Sequence, residues 1–476
     1  MAGLFNALNA ARTSLEVNQK SIEIVGNNIS NVNTEGYSRQ SSELSPYPAV
    51  NFGDFFIGQG VKIDNVRRDH DVFLQAQLED KYVDYGYANG QTRSLQELER
   101  VFNITDDNIA TDVDKFFDAW QELSASPSDL VLRDAVIQRG ELLATSFNNT
   151  ANDLNTIIEN INDTIISKVE DLNAKLTEVA DLNDRIYNIE IRGQMANSAR
   201  DSRDVLVKQL AESLGATTYL DGNGMVNVQL PGGLPLVQGN MPMRLQTVTS
   251  GSNVALQLVA GNTVRDLSTT TLGGEMAGRF YMRDQFIPAI KDDLDQLAWQ
   301  ISSTVNTQHQ LGAGLNAAPA LAAGNFFLDV TVVGPPVYLD AARNMRVEIT
   351  DPEDVAAGLS PTGLPPAGPA EPGDNRNALI ISNLGEQITI GGIDNFNSFY
   401  GKMTSRIGIE SNQNNLQLAG TQDAVDQLEN LRDGFVGVSL EEEMVSLIQY
   451  QRGFESSAKF LTTVDEMMNT LIDIKR

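Results

Sequence analysis

Residues 4–32 read LFNALNAARTSLEVNQKSIEIVGNNISNV. Within them Leu4, Leu8, Ala11, Leu15, Asn18, Ile22, Val25, Ile29 and Val32 step alternately by four and three, and all but Asn18 are apolar. A mean spacing of about 3.5 residues is the a/d seam of a coiled coil. The end of the chain repeats the pattern through Leu440, Met444, Leu447, Gln451, Phe454, Ala458, Leu461, Asp465, Met468 and Ile472, with Gln451 and Asp465 weakening it. A helix cannot bury its own stripe, so each seam predicts a partner helix, either the other terminus or another molecule. The chain reads as one that brings its ends together and assembles.

Composition narrows the function classes. A length of 476 residues exceeds what a single core holds, so several domains are expected. With 41% hydrophobic and 20% charged residues the chain is predicted to fold. A net charge of −29 repels phosphate backbones and anionic lipid, which argues against nucleic acid or membrane as a partner. The absence of cysteine excludes disulfides, thiolate metal sites and cysteine nucleophiles. The first basic residue is Arg12 and the early apolar residues are interleaved with Asn, Ala and Gly, so no secretory signal is read there. No apolar stretch has transmembrane length. Alone, these features point to the cytosol, or to export by a machine that needs no cleaved signal.

The fold class expected is mainly α with β-rich insertions: an elongated multidomain protein with its terminal helices paired as a coiled coil. Residues 1–85 form the N-terminal helix and an extended segment in which Tyr47, Phe52, Phe55, Phe56 and Ile57 lie among turn formers. Residues 86–215 form a long-helix bundle, with Ser126 and Pro127 as an N-cap and first helical residue. The apolar positions from Leu154 to Ile189 predict a helix of roughly 50 residues, against a usual length of about 12. Residues 216–284 form a small β module with strands at 217–220, 226–230, 244–248 and 254–259, and residues 285–318 return as a helix. Residues 319–399 are read as a β-rich outer domain, with strands at 330–333, 345–349 and 387–390. Residues 400–476 are helical, the last helix starting at a Ser439/Glu442 capping box. Glu441, Glu442 and Glu443 then complement the helix dipole and need no catalytic or metal role.

Catalytic chemistry is absent from the pattern. His70 and His309 stand apart without a cysteine, and both are expected in ordinary packing or surface positions. No phosphate-binding glycine loop occurs. Asp221-Gly222-Asn223-Gly224 lacks the spaced ligands of a calcium loop and reads as a hairpin turn. Asp292, Asp293 and Asp295 read as a solvated helix face. No enzyme activity, cofactor or metal is expected.

The first seam ends in Asn27, Asn28, Asn31, Thr34, Gly36, Tyr37, Ser38 and Arg39. Asn and Thr side chains can take over backbone groups at a helix end, glycine permits a tight turn, and tyrosine anchors the exit. Joined to an uninterrupted heptad seam, this combination resembles the N-terminal signature of the flagellar axial proteins, the rod, hook and hook-associated proteins. The blocks Val438–Met444, Leu447–Gln451 and Ala458–Met467 resemble the C-terminal signature of the same superfamily. Val305-Asn306, His309, Gly312, Gly314-Leu315-Asn316, Gly273–Gly278, Arg283–Gln285 and Pro372–Ala378 are similar to the FlgK-type hook-associated branch. The chain departs from the family at Val25-Gly26-Asn27, where alanines are usual, and at Arg452-Gly453-Phe454, where Gln and Tyr are usually paired.

The resemblance implies a structural subunit of the bacterial flagellum in a hook–filament junction ring built by helical self-assembly. It implies as partners other copies of the chain, the hook protein, the second hook-associated protein, an export chaperone and the flagellar type III export apparatus. It places the protein outside the cell, exported without a cleaved signal. Another axial protein or a cytosolic coiled-coil scaffold remain the alternatives.

Overall fold

The computed structural model describes residues 2–52, 55–102, 108–222, 224–251, 253–316, 324–359 and 369–474. The chain opens with helix α1 (Ala2–Ser30), followed by strands β1 (Gln40–Pro46), β2 (Val50–Phe52), β3 (Phe55–Ile57) and β4 (Val61–Arg68). Strands β1 and β4 pair antiparallel, and β2 and β3 extend that ribbon, so the turn-rich aromatic segment is a long hairpin. Helices α2 (Val72–Val101), α3 (Ile109–Ala125), α4 (Leu130–Glu190) and α5 (Asn197–Leu214) build the body. A β module follows, with β5 (Thr217–Leu220), β6 (Val226–Gln229), β7 (Pro235–Gln238) and β8 (Met241–Pro242) in one sheet. Strands β9 (Arg244–Ser250), β10 (Asn253–Ala260) and β11 (Thr263–Leu267) form a second, in the order β11-β10-β9. Then come α6 (Gly274–Tyr281), a π-turn at Met282–Phe286 and α7 (Ile287–His309). After β12 (Gly312–Ala313), α8 (Ala341–Asn344), β13 (Gly358–Leu359) and α9 (Arg376–Ser382), two long helices close the chain: α10 (Phe396–Val436) and α11 (Leu440–Ile474).

Helix α4 is the spine. Its 61 residues are far beyond the usual helix length, and its apolar stripe from Val136 to Ile186 is buried against its neighbours. The predicted start at Ser126-Pro127 is corrected. Ser126 closes α3, and the N-cap of α4 is Asp129, whose carboxylate accepts from Val131 N at 2.8 Å. A carboxylate answers the orphan N–H groups of a first turn as well as proline's fixed φ does, and here it stands nearer the periodic run.

Three asparagines on α4 hold the β module in register. Asn173 accepts from Leu245 N at 2.8 Å and donates to Leu245 O at 2.8 Å. Asn183 does the same to Val226, at 3.2 and 2.8 Å, and also donates to Gly239 O at 2.7 Å. Asn162 accepts from Val254 N at 3.3 Å. A primary amide offers the donor–acceptor pair of a peptide unit, so each helix side chain acts as a strand residue would toward the chain passing it.

The expectation of a β-rich domain over 319–399 is corrected for the described residues. Gly358–Leu359 is the named strand there, with isolated bridges at Phe327–Val347 and Ile390–Asp394. The apolar residues that suggested strands instead enter the helical core. Phe326, Phe327, Val330, Met345 and Ile349 are buried in the same cluster as α3, α4 and α7. Phe326 lies edge-on to Trp120 with ring centroids 5.6 Å apart. Residues 319–323 and 360–368 lie outside the described residues.

Asp295 is deeper than its sequence context suggested, and His309 takes the packing position that was one of its expected places. Asp295, read as part of a solvated face, is 1% exposed and accepts from Ala342 N at 2.9 Å and Asp340 N at 3.2 Å, capping the one-turn α8. Burial pushes its carboxyl up to about 6 despite those donors. His309 is fully buried; its Nδ1 bonds Gly324 O at 2.7 Å and its Nε2 accepts from Ala356 N at 2.9 Å. That pair of bonds requires the neutral tautomer with the proton on Nδ1, and burial lowers the ring's pKa to about 4.

Helices α2 and α6 cross with backbones in contact. Gly86 and Gly90 of α2 lie against the backbones of Glu212 and Glu275, and Gly278 of α6 lies against that of Tyr87. The Gly273–Gly278 block noted in the sequence is therefore a close-packing element. Replacing Gly90 with Ala forces these backbones apart and is expected to cost about 1–3 kcal/mol. The same change at Gly420, which has nothing within 4 Å on exposed α10, should instead stabilise by about 0.5–1 kcal/mol. Urea midpoints of the two variants test this contrast. A second expectation follows from His309. Its folded pKa lies below the unfolded 6.5, so its contribution is complete above pH 6.5 and is lost as pH falls toward 4. That loss amounts to about 3 kcal/mol. Asp295 acts in the opposite sense, so the comparison is with His309→Gln, which should be less stable at pH 7 but lose less on acidification.

Candidate assembly interface at the paired termini

Helix α1 is held between two partners. One face meets the β1–β4 hairpin: Thr13 and Ala10 lie under Gly60, and Ser21 and Ser42 hydroxyls are 3.4 Å apart. The other face meets α11, where Ser14 and Ser457 hydroxyls are 2.8 Å apart and Asn18 sits over Gly453. A methyl on Gly453 would come within 2.6 Å of Asn18 Oδ1, so the glycine that departs from the family pattern marks close approach of the two helices.

Of the predicted N-terminal seam, Asn18 lies at these contacts. Ala11 and Val25 are buried, and Leu4, Leu8, Leu15, Asn18, Ile22, Ile29 and Val32 are half-buried. The C-terminal seam divides. Leu447, Ala458, Leu461 and Met468 are half-buried, whereas Leu440, Met444, Gln451, Phe454 and Ile472 are exposed. The face turned inward passes instead through Glu443, Gly453, Ser457 and Val464. At Gly453 and Ser457 small side chains let α1 come close, while Leu440, Met444, Phe454 and Ile472 are left on the outside.

The motif residues after the seam converge on one buried amide. Asn28, 1% exposed, donates to Gln40 O at 2.9 Å and to Glu443 Oε2 at 3.0 Å. Its Oδ1 accepts from Gln40 N at 3.0 Å and from the Tyr37 hydroxyl at 2.9 Å. All four positions of the amide are thus filled, and three chain segments meet at it. Arg39 Nε donates to Glu443 Oε1 at 2.7 Å, and its backbone N–H reaches Val436 O at 2.9 Å. Burial, with Asp201 and Glu443 nearby, pushes the Tyr37 phenol up to about 12, which keeps it a donor.

The remaining motif residues shape the turn. Asn31 donates to Asn27 O at 2.9 Å and Asn27 Oδ1 at 2.6 Å, and Thr34 donates to Asn31 at 3.2 Å. Gly36 adopts φ +76°, the left-handed region open to glycine, directly over Val205. Ser38 N–H donates to Asp201 Oδ2 at 3.3 Å, and Arg68 bonds Asp201 at 2.7 Å and Asp204 at 2.8 Å. Sequence reading missed Glu443 as the partner of Asn28 and Arg39, because an acidic first turn is already explained by the helix dipole. It missed Asp201 and Arg68 because ordinary charges on a helix and a strand carry no signal of meeting. Among the described residues no group of three or more His, Asp or Glu could hold a metal ion, and no helix is long and apolar enough to cross a membrane. Asp221 accepts from Met225 N at 2.9 Å in its hairpin turn; Asn223 lies outside the described residues.

Comparison with known proteins meets this geometry at both ends. A family model for the flagella basal body rod protein matches residues 6–37, and one for the flagellar basal body rod FlgEFG protein C-terminal region matches 434–474. These are the two segments joined at Asn28 and Glu443. The model for the helical domain of flagellar hook-associated protein FlgK matches residues 95–327. Flagellar hook-associated protein 1 of Bacillus subtilis (strain 168) is 26% identical over 514 residues, covering 99% of each chain. Along nearly its whole length the chain is similar to FlgK-type flagellar hook-associated proteins. Hook-associated protein 1 of Escherichia coli K12, a second relative, is 25% identical over 98% of this chain and 99% of its own. A similar fold is seen in the flagellar hook junction protein FlgK from Burkholderia pseudomallei. That structure aligns with a TM-score of 0.67 at 16% identity, covering 75% of this chain and 99% of its own.

Substituting Asn28 with Asp tests the convergence. The isosteric carboxylate loses both donors and faces Glu443, which should cost on the order of 3 kcal/mol at neutral pH. Amide exchange in residues 440–457 should be faster in the variant than in wild type at pH 7.

Proposed function

We propose that the chain is a structural, non-enzymatic subunit of the bacterial flagellum, at the junction that joins hook to filament. The observation that carries this reading is the match over 98–99% of the chain to proteins named flagellar hook-associated protein 1, with both terminal signatures meeting in one packed unit. The terminal helices pair as a coiled coil, and the outward residues of α11, Leu440, Met444, Phe454 and Ile472, meet neighbouring copies. Contacts related by a rotation that does not close generate a helical array, with hook subunits below and the second hook-associated protein above. The domain scheme puts the terminal pair innermost and the helical body and β module outward.

Export follows the flagellar type III route without a cleaved signal. The exposed apolar stripe of α11 is an aggregation hazard before assembly, and an export chaperone covers it. Deleting residues 440–476 should abolish chaperone binding; retained binding would place that site elsewhere.

Deletion of the gene in the source bacterium tests the main reading. Cells should keep their hooks, lack filaments and release unpolymerised flagellin, and the wild-type chain should restore filaments. Loss of the hook itself would instead favour a rod or hook protein.

A further inference from the structure

Two apolar features of the body flank helix α7. The first is the loop at residues 331–340. Val332, Val337 and Leu339 are exposed there and Val333 is wholly so, which puts an apolar tip in solvent. The loop is nonetheless held at its base. Val332 N–H donates to Val337 O at 2.9 Å across it, Trp299 Nε1 donates to Thr331 Oγ1 at 3.0 Å, and Lys291 pairs with Asp340 at 2.8 Å. Both ends are thereby pinned to α7, which makes the loop a preformed knob. The second feature is an open groove of about 630 Å³ between the α6–α7 turn and α10, lined by Tyr281, Phe286, Gly401, Ser405, Arg406 and Ile409. Its lining is mostly apolar, and Ile409 is exposed. Glu410 in its wall already accepts from the Tyr281 hydroxyl at 3.2 Å.

We propose that the knob of one copy of the chain seats in the groove of the next, a contact that rests on reading the chain as a repeating flagellar subunit. Position supports it first. Lys291, Asp295 and Trp299 hold the knob side, whereas Phe286 and Asp293 border the groove. These two sets lie roughly half a turn apart on α7 and at overlapping heights along it. Copies standing side by side therefore bring knob to groove at one level, while each knob, pinned on its own flank, leaves its own groove open. The two patches differ, so the contact is heterologous and propagates instead of closing on a pair. Charge supports it next. The knob is bracketed by Asp329, which is exposed, and Asp340. The groove's rim carries Lys402 and Arg406, whose side chains stay 63% and 47% exposed although each already holds one carboxylate, Asp394 and Asp293. Across a chain of net charge −29 most faces of two copies repel, and a cationic rim is where an acidic knob is received. Four apolar side chains bury far less than the roughly 1,000 Å² of a stable interface. The contact is accordingly weak between free copies and gains strength once other contacts hold the neighbours in place.

The absence of cysteine allows a direct test by cross-linking in assembled flagella. The chain carrying Val333→Cys with Ser405→Cys replaces the wild-type chain in the source bacterium, and isolated flagella are treated with a short bis-maleimide. The double variant should give a ladder of covalent dimers, trimers and higher multimers, and either single substitution should give none. Flagella that contain the chain and bear filaments, yet show no ladder or stop at dimers, overturn the contact and leave the junction reading standing. Absence of the wild-type chain from isolated flagella would defeat that reading, and the contact with it. Val333→Asp serves where the double variant does not assemble. At a wholly exposed position it should leave helical content and the urea midpoint of the purified chain unchanged, and the flagella should shed their filaments at lower shear than wild type. Filaments retained as firmly as in wild type overturn the contact as well.

Discussion

An asparagine on a helix that pairs with the N–H and C=O of one passing residue is the device on which this structure depends. Asn28 does it to Gln40, Asn173 to Leu245, Asn183 to Val226, and Asn306 to Phe327 at 2.9 and 2.8 Å. A helix has no free backbone groups along its length with which to receive a strand. Supplying one amide side chain gives the strand a fixed register against the helix and satisfies backbone groups that burial would otherwise leave unpaired. The long helices can thereby carry hairpins, a β module and an irregular outer segment without a large sheet to organise them.

The Asn28 pairing differs from the others because a charge joins it. Glu443, buried on α11, takes both an Asn28 amide proton and the Arg39 guanidinium, so the first and last helices are fixed to one another and to the hairpin at a single point. Beyond that point Ser14 meets Ser457 and Asn18 sits over Gly453, Val464 is buried and Leu447, Leu461 and Met468 are half-buried, while Leu440, Met444, Phe454 and Ile472 face outward. A pair built this way is specific in register yet still presents a long unburied apolar stripe. That is the property an assembling subunit needs: an internal arrangement set beforehand and a surface left for neighbours.

Much of the architecture was readable because its signals are local. The heptad steps from Leu4 to Val32 marked α1. Alternation between glycine turns marked the strands at 217–220, 226–229, 244–250 and 253–260, and the motif through Tyr37 marked the helix exit. What was missed depends on residues that meet across the chain. Asn173 and Asn183 look like ordinary polar positions on a long helix. The β-branched run around Val330 reads as strand because its apolar content is the same whether it joins a sheet or fills a helical core. On α11 the heptad positions were read as the contact, yet Leu440, Met444, Gln451, Phe454 and Ile472 are exposed, and the close approach falls at Gly453 and Ser457. The acidic start of α11 had a sufficient local explanation, which hid the residue that matters most there.

The central claim is that Asn28 and Glu443 act as one unit in joining the two ends of the chain. A double-mutant cycle of Asn28→Ala and Glu443→Ala, followed by urea unfolding of the full chain, measures that coupling directly. The account predicts that the two losses are not additive and that the coupling is about 1 kcal/mol or more. Losses that add within about 0.3–0.5 kcal/mol would contradict it, because the two side chains would then be stabilising their helices independently.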